Sequence, residues 1–276
     1  MNVSIVTYKT DLDELAKCMM SLDTLVVGRI YVVDNGSEKR IADFVGKYHN
    51  AVYIANANTG YGSAHNIAIR KSISEGADYH LVLNSDVYFE PELLESAKKY
   101  MDNHPQTGQL HPALTYPDGR PQYTVRRLPT PFDVFIRRFV PDFLFRKSRD
   151  RYLLKDLDLE TVINAPYHQG SFMLLRISAL KEVGLFDERF FMYPEDIDLT
   201  RRMHERYETV YYPFLKAVHA HRAESYSSGR MLRIHIINMI RYFNKWGWFY
   251  DPSRRKVNQV LTVYARRRDM NNNRRR

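Results

Sequence analysis

The chain has one cysteine, Cys18, in 276 residues, so no intramolecular disulfide can brace it. It has two tryptophans and no apolar run near the ~20 residues that a membrane-crossing helix needs. The opening "MNVSIVTYKTDLDEL" shows neither a basic leader nor the apolar stretch of a secretion signal. These absences exclude a disulfide scaffold and a spanning helix and lead us to expect a reducing, cytoplasmic setting. What is present is ordinary for a globular protein, with 44% hydrophobic and 26% charged residues and 20 tyrosines among the aromatics. The length suffices for a substantial core.

Charge is unevenly spread within a net of +9. Residues 126–151 hold eight Lys/Arg against three Asp, and residues 230–276 hold thirteen against two, which leaves the remainder acidic. Two basic attachments on an acidic body suggest a polyanionic partner, either a membrane surface or a nucleic acid.

The first hundred residues alternate between strand and helix patterns. "VSIVTY" (3–8), "IYVVDNGS" (30–37), "VYIA" and "YHLVLNSD" (79–86) read as strands. Between them, Leu12, Leu15, Met19 and Leu22 recur at helical spacing behind a capping-box pair, Asp11 and Glu14. A second helix is expected from near Ala64 to Gly76, and "PELLESAKKYMDN" reads as a third with Pro91 at its start. Such alternation predicts an α/β fold, a mostly parallel sheet covered by helices, with ligands at the carboxyl ends of its strands. Four of those ends are polar: Thr7-Tyr8, Asp34-Asn35, "NTGYGSAHN" (58–66) and Asn84-Ser85-Asp86.

The glycine-bearing loop is not a dinucleotide fingerprint. Gly60 and Gly62 lack a third glycine, because His65 stands there, and Asp34 precedes the loop instead of following it. Asp34 reads either as a cap of the Asn-Gly turn or as a ligand contact. Asp86 closes an apolar strand, where a carboxylate needs a cation or solvent. Further on, Glu195, Asp196 and Asp198 fall within four residues, read either as acidic residues suited to a helix's first turn or as chemistry. His219 and His221, spaced i, i+2, share one side of a strand as structural histidines or as metal ligands.

The fragments "VVDNGS", "NTGYGSAHN", "LVLNSDVYF", "GSFMLLR", "VGLFDERFFMYPEDIDLTRR" and "VHAHRAES" occur in that order and at family-like spacing. On them the chain resembles glycosyltransferase family 2 enzymes of the GT-A fold, particularly the bacterial rhamnosyltransferase-like branch that builds surface polysaccharides. The resemblance runs from "VSIVTY" to about Ser225. It implies a GT-A domain over 1–225, with a basic, aromatic insertion at 126–160, and leaves 226–276 as a basic amphipathic helical extension. It implies an inverting transferase that moves a sugar from a nucleotide-diphosphate donor to a hydroxyl of a glycan or lipid-linked glycan. Thr7 and Tyr8 would lie against the nucleoside, Asp34 on the base, and Asn58 and Asn66 as polar contacts. Gly60 and Gly62, flanking Tyr61, would let main chain approach the nucleotide. Asn84, Ser85, Gly170 and Ser171 would line the donor. Asp86 matches the last carboxylate of the Asp-X-Asp metal motif, spelled "NSD" here, which leaves one anionic ligand. Asp86 with His219, or His221 as second choice, would hold Mn²⁺ or Mg²⁺, and a histidine leans toward Mn²⁺. Asp196 would be the general base and Glu195 would orient the acceptor. A dTDP-linked deoxysugar such as dTDP-rhamnose is the first expected donor, and UDP-linked hexoses the second.

Two other classes would use parts of this sequence. A sugar nucleotidyltransferase would open on a glycine-rich triphosphate loop, and "VSIVTYKTDLDEL" contains no glycine. A nucleic-acid binder would use the basic tail and the aromatics of "MIRYFNKWGWFY", but has no use for carboxylates beside paired histidines. An anionic membrane surface is therefore the expected partner of the basic segments, and no nucleic acid is expected. Phe132, Phe135, Phe139, Phe143 and Phe145 interleave with cations in the first segment, and Ile236, Ile240, Phe243 and Trp246 share a helical face in the second, with Trp248 beyond. The competing reading packs these aromatics onto the domain or into a dimer interface.

Overall fold

The computed structural model describes residues 1–136, 142–220 and 229–273, without the side chains of 135, 136, 142–145 and 263–273. His221 and the last three arginines lie outside the described residues, and so do the side chains of Phe135, Phe143 and Phe145 and the whole of Phe139.

Strands β1 (Asn2–Thr7), β2 (Ile30–Asp34), β3 (Ala51–Ala55) and β4 (Tyr79–Asn84) alternate with helices α1 (Leu12–Met20), α2 (Lys39–Val45) and α3 (Tyr61–Ser74). β2 is buried along its whole length, as expected of a parallel strand covered on both faces. Asp11 caps α1, its side chain accepting from Asp13 N. α3 starts three residues earlier than its apolar pattern suggests, because Gly60, at φ 110°, turns the chain directly into the helix.

The chain continues through β5 (Val87–Tyr88), α4 (Glu92–Asn103), β6 (Thr107–Thr115), β7 (Pro121–Gln122) and β8 (Val125–Arg126). After a π-helical turn at Phe132–Ile136 come α5 (Asp142–Tyr152), β9 (Ile163–Asn164), β10 (Tyr167–His168), β11 (Phe172–Arg176) and α6 (Ile177–Val183). α7 (Glu195–His204), β12 (Glu208–His219), α8 (Gly229–Trp246) and α9 (Pro252–Asn273) complete it. The main sheet has the order β3-β2-β1-β4-β11-β6-β12-β5. β1 pairs in parallel with both β2 and β4, so the strand order reverses between β1 and β4. A crevice opens at such a reversal, outside the carboxyl ends of the strands. β11 enters antiparallel to β4 and β6, while β12 runs parallel to β6.

One face of the sheet carries the largest core, built from Val3, Ile5, Leu81 and Leu83 with Leu15, Met19 and Leu94 of the helices. On another, Ile69 of α3 meets Leu175, Leu180 of α6, and Leu199 and Met203 of α7. The C-terminal helices also join the core. Met239, Tyr242 and Phe243 of α8 pack with Leu128, Tyr167, Phe190 and Ile197, and Leu261 of α9 packs with Val125, Leu154 and Tyr211. Phe243 is thus buried and Trp246 half-buried, so this part of the face expected to meet a membrane is turned inward, while Ile240 of the same face stays exposed. Arg127 of the first basic segment is likewise internal, held by Asp156 and by the Arg151 and Asn258 carbonyls. Among the described residues no helix is long and apolar enough to cross a membrane.

Candidate active site

At the reversal point, the polar strand ends divide into residues that build the crevice and residues that face it. Asp34 belongs to the first group. Oδ1 accepts from Thr7 Oγ1 and Gly36 N, both at 3.0 Å, and Oδ2 accepts from Glu38 N at 2.6 Å and Tyr53 OH at 3.1 Å. Four donors fill this buried carboxylate, so it caps the Asn-Gly turn, and a base contact through it is not supported. Tyr8, half exposed, and Asn58 stand at the solvent side.

The loop 58–66 also serves the chain itself. A Cβ at Gly60 would collide with the Phe191 carbonyl oxygen, the group that accepts from Tyr61 N at 2.9 Å. A Cβ at Gly62 would stand 2.9 Å from Phe186 Cβ and 3.2 Å from Glu195 Cγ. The glycines therefore let α3 dock against the 186–195 segment. Asn66, expected as a polar contact for the nucleotide, is taken up inside the protein instead. Its side chain is buried, donating to Phe186 O and Glu188 Oε1 and accepting from Phe186 N.

Tyr61 is the hinge of the site. Its hydroxyl lies 2.8 Å from Asn84 Oδ1 and 2.8 Å from the Gly170 carbonyl oxygen. Burial, followed by the charges of Glu195, Asp196 and Asp86, pushes this phenol well above its ordinary range, so all three carboxylates bear on one hydroxyl. Asn84 N donates to the Ser171 carbonyl, which fixes the end of β4 beside the 170–171 loop.

On one side of Tyr61 stands Asp86, which β5 places next to the end of β12 through the Val87–His219 pairing. His219 Nε2 lies 3.4 Å from Asp86 Oδ1. Gln122 fixes the imidazole: its Nε2 donates to the His219 carbonyl at 2.7 Å, so its Oε1, 2.9 Å from His219 Nδ1, is an acceptor. Nδ1 then carries a hydrogen, and Nε2 faces the carboxylate. An imidazole nitrogen beside a carboxylate oxygen is a donor pair of the kind that can hold Mn²⁺ or Mg²⁺. Among the described residues no third His, Cys, Asp or Glu joins them, and His221 lies outside those residues.

On the other side are Glu195 and Asp196, in the first turn of α7. Asp196 Oδ2 accepts from Gly170 N at 3.0 Å and Oδ1 from Ile197 N at 2.8 Å. Burial raises its pKa above the ordinary carboxylate value, and those two N–H donors pull it back. Glu195 is raised well above the ordinary value, first by burial and then by Asp196, and its Oε2 has no hydrogen-bond partner among the described residues. Ser171 Oγ is buried and likewise has none among them.

The fold thus gathers Thr7, Tyr61, Asn84, Ser85, Asp86, Gly170, Ser171, Glu195, Asp196 and His219 around the strand ends. Sequence reasoning missed Gln122, which lies 97 residues from the histidine it orients and carries no motif. It also missed Arg126, whose charge lowers Asp196, and it gave Asp198 no role beyond the helix's first turn. Asp198 is buried, bound at Oδ1 by Trp246 Nε1 (2.8 Å) and Lys245 Nζ (2.7 Å) and at Oδ2 by Arg202 Nε (2.9 Å). An acidic residue four positions before an arginine was the only available hint.

The family model described as "Glycosyl transferase family 2" matches residues 3–184. An N-acetylglucosaminyl-diphospho-decaprenol L-rhamnosyltransferase of Mycobacterium tuberculosis is 29% identical over 218 residues, 75% of this chain and 70% of that protein. Rhamnosyltransferase WbbL of Escherichia coli is 27% identical over 231 residues, 78% and 81% of the two chains. Among solved structures, GalNAc-T7 with UDP, GalNAc and Mn²⁺ superposes with a TM-score of 0.64 at 13% identity, over 89% of this chain and 48% of that one. This likeness shows the fold.

Glu195 carries a stability signature. The folded chain holds its proton to higher pH than the unfolded chain does, so unfolding releases that proton. The contribution of Glu195 to stability then falls as pH rises above the ordinary glutamate value of 4.5. Glu195→Gln should remove that part of the slope and be more stable than the parent at pH 7, with the advantage vanishing below pH 4.5. Urea denaturation at three pH values checks this, and parallel pH dependences of the two proteins would refute it.

Proposed function

The chain belongs to glycosyl transferase family 2, and on that premise we propose an inverting, metal-dependent transferase that moves rhamnose or a related deoxysugar from a nucleotide diphosphate to a hydroxyl of a lipid-linked glycan in surface-polysaccharide synthesis. The observation that carries the reading is the continuous path Asn84–Tyr61–Gly170–Asp196, which joins the "NSD" strand end to the base in one crevice. The sugar and the lipid-linked acceptor follow the two rhamnosyltransferase relatives, one of which is named for a diphospho-decaprenol acceptor. A dTDP-linked donor is the first choice and a UDP-linked one the second. Residues 1–225 are read as the transferase unit and 226–276 as its extension.

Thr7, Tyr8, Asn84 and Ser85 bind the donor at the reversal point, and Gly170 and Ser171 flank its sugar. Asp86 and His219 would hold Mn²⁺ or Mg²⁺, which neutralises charge on the departing diphosphate when bound. Asp196, raised by burial, takes the acceptor's hydroxyl proton as that oxygen attacks the anomeric carbon, and the nucleotide diphosphate leaves with the bonding electron pair. Glu195, protonated to higher pH than an ordinary glutamate, is able to donate a hydrogen bond to the acceptor.

An anionic membrane is the surface on which such an acceptor is met. With one face of α8 buried, Arg233, Ile237, Ile240 and Arg241 point outward, and the turn that follows exposes Phe249 (91%) and Tyr250 (85%). Cations with apolar tips are the combination that an interfacial helix uses, each cation contributing about 1 kcal/mol near anionic lipid.

Incubation with a panel of sugar nucleotides should release nucleotide diphosphate in the presence of Mn²⁺ or Mg²⁺ and none in excess chelator. Asp196→Asn should keep donor affinity and lose ~10²–10⁴-fold in turnover. Full activity in chelator, or an undiminished Asp196→Asn, would overturn the corresponding assignment. The protein should also sediment with anionic vesicles at low salt and not with neutral ones, and Phe249→Ser with Tyr250→Ser should release it. Parent protein left in the supernatant at low salt would reject the membrane contact.

A further inference from the structure

The family match ends at residue 184, yet α7 carries the residues read here as base and acceptor ligand, and α8 grips that helix. The structure assigns to Lys245 and Trp246 of α8, acting through Asp198, the positioning of Asp196; we infer that the C-terminal helix completes the catalytic site. This rests on the reading of Asp196 as the base.

The geometry is specific. Positions 195, 198 and 201–202 recur on one face of α7. Asp198, one turn beyond Glu195, is fully buried, and its carboxylate is bound from α8 by both Lys245 and Trp246. One turn further, Arg201 is buried with its guanidinium 3.9 Å from the Trp246 ring centroid. Its two terminal nitrogens pair with Asp251, just beyond α8, at 2.7 and 2.8 Å. Ahead of α7, Asn238 Nδ2 of α8 donates to Met192 O at 2.9 Å. α7 is therefore held at its approach and along two successive turns by a single neighbouring helix.

That grip reaches the base through the placement of α7. Asp196 is oriented by Ile197 N on α7 and Gly170 N on the β10–β11 loop. Its aim is thus a relative position, that of α7 against the loop, and a slide or rotation of α7 breaks the Gly170 bond first. Misplacement of a reacting group by about 1 Å can cost ~10²-fold in rate. Stability alone does not account for the arrangement. Buried ion pairs are often replaceable by apolar residues at no loss, whereas a directional network fixes one register. Leu199 and Met203 bury the opposite part of α7 in the sheet-side core, so loss of the polar grip should leave the helix folded but misplaced.

Trp246→Phe keeps a ring beneath Arg201 and removes the N–H, and Lys245→Met keeps the stem and removes the charge. The double variant should lose on the order of 10- to 100-fold in kcat while donor KM stays within about twofold. It should keep a cooperative melting transition, and Lys245→Arg alone should retain most of the activity. Amide hydrogen exchange reads the same positioning without turnover. Protection should fall at 195–198 in the double variant and hold at 199–203. Unchanged exchange at 195–198 would overturn the inference whether or not the protein proves to be a transferase, and so would unchanged kcat in an active enzyme. Rate loss tracking a lowered melting temperature would reduce the contact to stability and overturn it as well. A parent protein that releases no nucleotide diphosphate from any donor would instead defeat the functional reading, with exchange still deciding the positioning.

Discussion

Asp198 is a carboxylate with no exposure to solvent, and such a charge persists only where donors meet it. The chain meets it from three positions: Arg202 one turn on, and Lys245 and Trp246 from a helix more than forty residues later. Satisfying this one group brings α8 onto α7, and the rest of the contact follows. Tyr242 and Phe243 fill the space beside Phe190 and Ile197, and Arg201 finds Asp251. The basic extension that composition marks as an appendage therefore has two faces, an inner one spent on α7 and an outer one of cations and apolar side chains.

The crevice depends on a second constraint, the close approach of α3 to the 186–195 segment. Gly60 and Gly62 permit it, Asn66 ties it, and Tyr61 spans the gap to Asn84 and Gly170. Asp86 and His219 stand beside strand ends and Glu195 and Asp196 in the first turn of α7, and Tyr61 of α3 feels the charges of both halves. Gln122 adds the orientation that leaves His219 Nε2 facing Asp86.

Much of this was legible in the sequence. The alternation of strands and helices follows from apolar runs and caps, and the reversal point explains why Thr7 and Asn84 to Asp86 belong together. Local pattern could not tell what the glycines avoid, because Phe191 and Phe186 lie more than a hundred residues away. Asp34 and Asn66 have the chemistry of ligand contacts, but hydrogen-bond partners nearer at hand take up their capacity. In α8 the helical face was misjudged because Ile240 and Phe243, three apart, straddle the boundary between solvent and core. Apolar spacing shows that a helix has a face, and only the partner decides where it points.

The central claim is that one base, Asp196, drives a single displacement at the anomeric carbon. The anomeric configuration of the transferred sugar, read by proton NMR on the first product formed and compared with that of the donor, tests it most directly. A single displacement inverts the centre, so the configuration of the product should be opposite to that of the donor. Retention of the donor's configuration would require a second displacement or a front-face mechanism and would contradict the role given to Asp196.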